Sequence, residues 1–173
     1  VTNMRKERRF GLLGRKLGHS FSPEIHAALS DYEYALYEVE PGDLAGFLKG
    51  CPLSGFNVTI PYKEAVLPYL ADMSPAARAI GSVNTVVRRP DGTLIGDNTD
   101  AYGFSYLLAS AGIDPAGQKA VVFGSGGSSK TVSAVLRERG AEKITVVSRR
   151  GEHTYENLHL VRDAQILVNT TPV

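Results

Sequence analysis

The chain contains one cysteine, Cys51, and no tryptophan among its 173 residues. A single cysteine excludes an intrachain disulfide, and a fold that needs no staple points to a reducing compartment. No apolar run approaches the ~20 residues that a membrane-spanning helix requires. The opening residues, V-T-N-M-R-K-E-R-R, are too charged to be the apolar stretch of a secretory signal. Neither sign of charge dominates: 19 Lys and Arg face 18 Asp and Glu, so nothing calls for nucleic acid or an anionic membrane as partner. His19 and His26 lack a cysteine or carboxylate partner at ligand spacing, and His153 and His159 read as exposed, which argues against a metal site. The expectation is a soluble, cytoplasmic protein that handles a small molecule. The length suits one large domain or two small ones, and a compact chain of this size buries about 70% of its unfolded surface.

The two halves differ in character. Residues 10–14 (F-G-L-L-G), 34–39 and 55–60 read as strands. Ser22 as N-cap with Pro23 behind it starts a helix to about Leu29. Gly42 to Lys49 reads as a short helix, another follows Lys63, and Ser74-Pro75 opens a further one. Val83–Arg88 and Thr93–Gly96 flank R-P-D-G, which has hairpin turn chemistry. Asp100 to Ala111 has helical spacing, and Asp100 itself can serve as N-cap. Then come the strand A-V-V-F-G, a Gly/Ser loop, a helix from about Ser129 to Arg139, the strand I-T-V-V-S and a third short strand at 166–169. This β-α-β order implies parallel strands and a crossover. The fold class is α/β: a mixed-sheet domain over residues 1–100, then a partial Rossmann-type domain over 101–173. A helix at about 100–112 connects them.

The segment Ser54 to Lys63, S-G-F-N-V-T-I-P-Y-K, concentrates the polar signal. Alternate side chains of a strand share a face, so Asn57 and Thr59 point the same way. Pro61 stops the strand, and Lys63 emerges at its end. Two hydrogen-bonding groups and a cation aimed at one spot suit a hydroxylated or carboxylated small molecule. A lone lysine at such a place is also commonly solvated surface, and Asn84 and Thr85 also read as turn residues. Tyr32, Tyr34 and Tyr37 read as ordinary core and strand residues.

Gly124-Ser125-Gly126-Gly127-Ser128-Ser129 lies between a strand and a helix, where a dinucleotide fingerprint belongs. Gly124 allows the tight turn, Gly126 lets backbone approach a pyrophosphate, and Ser129 fills the third position with a small residue. Such a loop is also an ordinary βα turn. A NAD site usually carries an acidic residue about 20 positions further on, for the ribose hydroxyl. Here the second strand ends in Ser148-Arg149-Arg150, and guanidinium groups there pair with a 2′-phosphate. NADP is the expected cofactor.

Taken together, H-S-F-S-P-E-I-H at 19–26, G-F-N-V-T-I-P-Y-K at 55–63, A-I-G-S-V-N-T at 79–85 and D-N-T-D-A-Y-G at 97–103 resemble the shikimate dehydrogenase family. G-S-G-G-S, S-R-R and N-T-T-P-V at 169–173 follow in that family's order. The resemblance implies NADP-dependent reduction of 3-dehydroshikimate to shikimate, in aromatic amino acid biosynthesis. It implies Ser20 and Ser22 on the substrate carboxylate, and Thr59, Asn84 and Asp100 on the ring hydroxyls with Asn57 in support. Lys63 and Asp100 form the implied catalytic pair. Gly124, Ser125, Gly126, Gly127, Ser128, Ser148, Arg149 and Arg150 would hold the cofactor. Ser128 stands where many relatives have alanine, and Ser148-Arg149-Arg150 where N-R-T is usual. A doubly wound sheet has about six strands, and the family continues past N-T-T-P, so the chain reads as truncated at its C-terminus. The competing readings are a NAD-dependent quinate or shikimate enzyme, a methylenetetrahydrofolate-type dehydrogenase, and a non-catalytic shikimate-binding fragment. The paired serines fit a small carboxylate better than a folate.

Overall fold

A computed structural model of the chain describes residues 8–50 and 52–171. Cys51, the charged N-terminal residues before Arg8, and Pro172-Val173 of N-T-T-P-V lie outside them. The chain divides into two compact units. The first runs to Ala77 and resumes over Val83–Asp97; the second comprises Arg78–Ser82 and the chain from Asn98 onward.

The first unit is a mixed six-stranded sheet: β1 (Arg9–Gly14), β2 (Glu33–Glu38), β3 (Gly55–Val58), β4 (Asp72–Met73), β5 (Thr85–Arg88) and β6 (Leu94–Asp97), in the order β2-β1-β3-β5-β6-β4. β1 pairs in parallel with both β2 and β3, whereas β3–β5 and β5–β6 are antiparallel. The hairpin expected around R-P-D-G is present: Gly92 takes φ +86, which glycine adopts without strain, and Asp91 Oδ1 accepts from the Thr93 amide at 2.9 Å. The core is apolar: Leu13, Leu53, Val66, Val83 and Val86 are completely buried, with Leu44 and Leu48 of α2 (Leu44–Gly50) and Phe56 packed among them.

Local chemistry shifts several expected boundaries. The helix expected over Gly42–Lys49 divides into a 3-10 turn at Pro41–Asp43 and then α2. The third strand ends at Val58 rather than Ile60, ahead of Pro61, which has no amide to continue the ladder. Lys63 therefore sits inside a short helical turn, α3 (Tyr62–Ala65), and not at a strand end. Tyr62 drives this: its ring is buried, and its hydroxyl donates to the Val39 carbonyl. Ser22 is not the cap of α1 (Ser22–Leu29) but its first residue; Phe21 holds the cap position without a side-chain bond. Ser74 does cap α4 (Pro75–Ile80), accepting from the Ala77 amide at 3.1 Å.

In the second unit, β7 (Lys119–Phe123), β8 (Lys143–Val147) and β9 (Ile166–Asn169) form a parallel sheet in the order β8-β7-β9. The chain thus returns from β8 to the opposite side of β7. Between them lie a parallel bridge, Val147 to His153, and a 3-10 segment at Tyr155–Val161 capped by Thr154. His153 is half-buried rather than exposed. α5 (Thr99–Ser110) packs on α6 (Gly127–Glu138), tied by Arg139, whose guanidinium donates to the Ser105 carbonyl at 3.0 Å and to its hydroxyl at 2.7 Å. Asp100 does not cap α5; Asn98 does, accepting from the Ala101 amide at 3.3 Å.

Candidate active site

Each unit contains a topological switch point. Consecutive strands leave β1 on one side for β2 and are followed on the other side by β3; likewise β7 is flanked by β8 and β9. At such a point the loops at the carboxyl ends of the central strands part and leave a crevice, where open α/β sheets bind ligands. The candidate residues gather at these two places.

In the first unit the loop after β1 is fixed from several sides. The Leu17 amide donates to a Glu38 carboxylate oxygen at 2.6 Å, Arg15 Nε donates to Glu40 at 3.0 Å, and the Arg15 amide reaches the Ile60 carbonyl at 3.3 Å. Ser20 closes this loop: its amide donates to the Leu17 carbonyl, and its hydroxyl accepts from the Ser22 amide at 3.3 Å. The Ser20 hydroxyl also donates to Ser22 Oγ at 3.1 Å. The Tyr34 hydroxyl donates to Asn57 Oδ1 at 2.8 Å. Asn57 Nδ2 donates to Thr85 Oγ1 at 3.3 Å, and the Thr85 hydroxyl donates to Asn84 Oδ1 at 3.0 Å. A file of polar side chains therefore crosses the strand ends from Tyr34 to Asn84, apart from the bonded serine pair on the loop after β1.

Thr59 follows directly after β3, its amide donating to the Leu13 carbonyl at 2.9 Å. Lys63 is half-buried, and its carbonyl accepts from the Val83 amide at 2.8 Å, which fastens α3 to the chain just before Asn84. Asn84 and Thr85 are not turn residues. Asn84 is 8% exposed, with its amide on the Asp97 carbonyl and its own carbonyl on the Val58 amide, so it continues the sheet ladder.

Tyr34 and Asn98 carry roles that residue-type reasoning passes over. Tyr34 was expected to be an ordinary strand residue, yet its hydroxyl donates to Asn57 and begins the file that ends at Asn84. Burial pushes its hydroxyl pKa up to about 12, with the nearby Ser22 hydroxyl opposing and Tyr32 adding to the rise. The unfolded chain gives up this proton near the ordinary tyrosine value of 10.0, before the folded chain does. The linked stability is thus complete below pH 10 and is lost as pH rises toward 12. Urea unfolding at pH 9 and pH 11 should show a loss in the wild type that is smaller in Tyr34→Phe; an equal loss contradicts this. Asn98, 3% exposed, donates from Nδ2 to the Ser82 carbonyl at 2.8 Å and to Thr131 Oγ1 at 3.1 Å. It thereby secures the first turn of α5, which carries Asp100, to α6.

In the second unit the glycine loop has the form a dinucleotide needs. Gly124 takes φ +110, and a Cβ there would lie 2.6 Å from Thr170 Oγ1. Gly126 holds the N-cap of α6, and a Cβ on it would meet nothing within 4 Å, so its backbone faces open space. The helix begins at Gly127, two residues ahead of the expected Ser129, which places its unpaired amides at the loop. Ser129 is buried against the sheet as a small third residue should be. Ser125 is exposed and Ser128 half-buried. Ser148, with exposed Arg149 and Arg150, leaves β8 at the same sheet end, where the Gly124 amide donates to the Val147 carbonyl at 2.8 Å. These residues fit a dinucleotide carrying an extra phosphate. Among the described residues no group of three His, Cys, Asp or Glu side chains is placed to hold a metal ion, and no helix is long and apolar enough to cross a membrane.

Comparison with known proteins agrees with this geometry. A family model described as the shikimate dehydrogenase substrate binding domain matches residues 12–86. The NADP(+) shikimate dehydrogenase of Moorella thermoacetica is 42% identical over 153 residues, covering 84% of this chain and 52% of that protein. That of Clostridium perfringens strain SM101 is 39% identical and covers 94% of this chain and 68% of its own length. Among solved structures, shikimate dehydrogenase 1 of Peptoclostridium difficile superposes with a TM-score of 0.89 at 36% identity, over 96% of this chain and 68% of that one. The Thermus thermophilus enzyme, solved in complex with NADP(H) and shikimate, gives 0.82 at 36% identity, over 95% and 68%. The chain spans 52% and 65% of the length of two of the curated relatives it matches. The polar motifs, the two switch-point crevices and these likenesses have one explanation: the chain belongs to the shikimate dehydrogenase family.

Proposed function

We propose that the protein reduces 3-dehydroshikimate to shikimate with NADPH, in the cytoplasm, as a step of aromatic amino acid biosynthesis. The observation that carries this reading is the hydrogen-bonded file from Tyr34 to Asn84 at the first switch point, together with the bonded pair Ser20–Ser22, all inside the segment matched as a substrate binding domain. Residues 1–100 bind substrate and residues 101–173 bind the nucleotide. Ser20 and Ser22 hold the carboxylate, and Thr59, Asn84 and Asp100 hold the ring hydroxyls. Gly124, Ser125, Gly126, Gly127 and Ser128 cradle the pyrophosphate, while Ser148, Arg149 and Arg150 take the 2′-phosphate.

When bound, NADPH supplies the hydride that the side chains of this chain cannot. The protein's part is to orient the substrate ring and to move one proton. Lys63 delivers that proton to the C3 oxygen as the carbonyl becomes an alcohol, and solvent reprotonates it. An ammonium group has protons to donate and suits this direction. Asp100 is the second member of the proposed catalytic pair. In the oxidising direction neutral Lys63 takes the proton back.

Two measurements test the reading. Calorimetry should show shikimate binding that Ser22→Ala weakens; no binding by the wild type contradicts it. Replacing Arg149 and Arg150 together with alanine should lower the preference for NADP+ over NAD+ by at least about tenfold, the worth of one charge-assisted bond; an unchanged ratio of dissociation constants contradicts the 2′-phosphate assignment. A second reading, shikimate binding without turnover, is favoured by one observation: every proposed substrate residue except Asp100 lies in the first unit. Shikimate binding without any NADP+ reduction would select it.

A further inference from the structure

Asn57 and Thr85 stand opposite each other in the β3–β5 ladder, and Asn84 directly precedes β5. The Asn84 backbone is fixed on both sides, its amide on the Asp97 carbonyl at 3.1 Å and its carbonyl on the Val58 amide at 2.7 Å. What the ladder leaves open is which end of each side-chain amide meets the Thr85 hydroxyl. The structure has one order: Tyr34 donates to Asn57 Oδ1, Asn57 Nδ2 donates to Thr85, and Thr85 donates to Asn84 Oδ1. Turning both amides over gives the reverse order, in which Asn84 donates to Thr85, Thr85 to Asn57 and Asn57 to Tyr34. A hydroxyl donates and accepts, and an amide has one end of each kind, so either order closes all three bonds. The two differ at the far end. In the observed order Asn84 turns its NH2 away from Thr85 and offers a donor; in the reverse order it offers its carbonyl oxygen.

Tyr34 decides between the two orders. In the observed one its phenol proton is used on Asn57 Oδ1 at 2.8 Å; in the reverse one that proton loses this acceptor at a half-buried position, which is costly. Burial holds the hydroxyl pKa at about 12, so the proton is present throughout the neutral range. The ring is braced in place. His26 stacks on it with centroids 3.7 Å apart and planes 9° from parallel. The His26 ring is in turn fixed by Nδ1 against the Tyr32 hydroxyl at 2.6 Å, and Tyr32 packs on Phe10 with centroids 4.8 Å apart. Hydrogen bonds aligned in one sense polarise one another, so the preference set at Tyr34 is carried along the file.

We infer that Tyr34 is a positioning residue of the substrate site: it sets the polarity of the Asn57–Thr85–Asn84 file so that Asn84 presents its NH2 to a ring oxygen of the ligand. This rests on the assignment of Asn84 to the substrate made above. It adds the chemistry that Asn84 reads, which is an oxygen that accepts a hydrogen bond. Tyr34 acts through two intervening side chains and touches no reacting atom. Where the two orders are mixed, only part of the protein is ready to bind, and the apparent affinity falls by that fraction.

Shikimate dissociation constants measured by calorimetry test this. Tyr34→Phe should weaken binding about two- to tenfold, since the preference it removes is worth one hydrogen bond. Thr85→Val, which cuts the file, should weaken binding at least as much. Thr85→Ser keeps the hydroxyl and should bind within about twofold of the wild type. In the Thr85→Val background Tyr34→Phe should have no further effect, because the route through which it acts is already cut. A comparison that needs no change at Tyr34 uses Asn57→Asp. A carboxylate only accepts, so Thr85 turns its proton to position 57 and Asn84 must give its NH2 to Thr85. Asn57→Asp should cost at least about twofold more in the wild-type background than in Thr85→Val, which separates polarity from added charge. Tyr34→Phe that binds as the wild type does, or that weakens binding equally in both backgrounds, overturns the inference alone. So does an equal cost of Asn57→Asp in both, or a Thr85→Ser protein as weak as Thr85→Val. Wild-type protein that takes up no shikimate overturns the inference and the substrate assignment together.

Discussion

Lys63→Ala is expected to bind shikimate almost as well as the wild type while turning over about 10²–10⁴-fold more slowly, the usual worth of a placed general acid. The split between binding and rate follows from where the groups sit. The proposed carboxylate and hydroxyl ligands other than Asp100 belong to the serine loop and the ends of β3 and β5. The turn that carries Lys63 is held by the buried Tyr62 ring and by the Val83 amide on the Lys63 carbonyl, so truncation leaves the backbone in place. Lys63→Arg should not restore the rate, because a guanidinium keeps its charge but does not release a proton. Single-turnover kinetics beside calorimetry read both quantities. Wild-type turnover in Lys63→Ala would remove the residue from the mechanism.

Gly124→Ala should abolish measurable NADP binding and also destabilise the second unit. Two costs combine there. A φ of +110 strains any residue with a Cβ, at about 1–3 kcal/mol. The new Cβ would also sit 2.6 Å from Thr170 Oγ1, whose hydroxyl is already committed to the Phe123 carbonyl at 2.6 Å, and such overpacking costs about 1–3 kcal/mol more. Relief requires the loop or β9 to move, and either shift displaces the backbone that faces the pyrophosphate. Gly126→Ala is the informative contrast. Its Cβ meets only open space, so the protein should keep its stability and lose cofactor affinity alone. Thermal unfolding and a fluorescence titration with NADPH separate the two; equal stability of Gly124→Ala and wild type contradicts the strain account.

What could be read from sequence followed from local chemistry. Apolar runs, the glycine loop and the R-P-D-G turn located β7, α6, β8 and the β5–β6 hairpin, because each depends on residues close in the chain. Through-space partners escaped it. The return of β9 to the far side of β7 leaves no periodic trace, yet it creates the crevice that the glycine loop lines. β3 stops at Val58 because of the turn at Pro61, and Tyr62 buries itself beneath Val39, so Lys63 moved from a strand end into a helical turn. Ser22 lost the cap position because the Ser20 hydroxyl already takes its amide. Tyr34 looked like any strand tyrosine; its connection to Asn57, 23 residues away, exists only once β1 lies between β2 and β3. Asn98 stood inside a motif beside a more conspicuous aspartate, and its bonds to Ser82 and Thr131 reach residues that folding brings to it.

Shikimate-dependent reduction of NADP+, followed by NADPH absorbance with purified protein, tests the central claim most directly. The account predicts a rate that requires both shikimate and NADP+, falls with NAD+ in place of NADP+, and is lost in Lys63→Ala. A protein that binds shikimate and NADP+ yet gives no such rate, or one whose rate survives loss of Lys63, would contradict it.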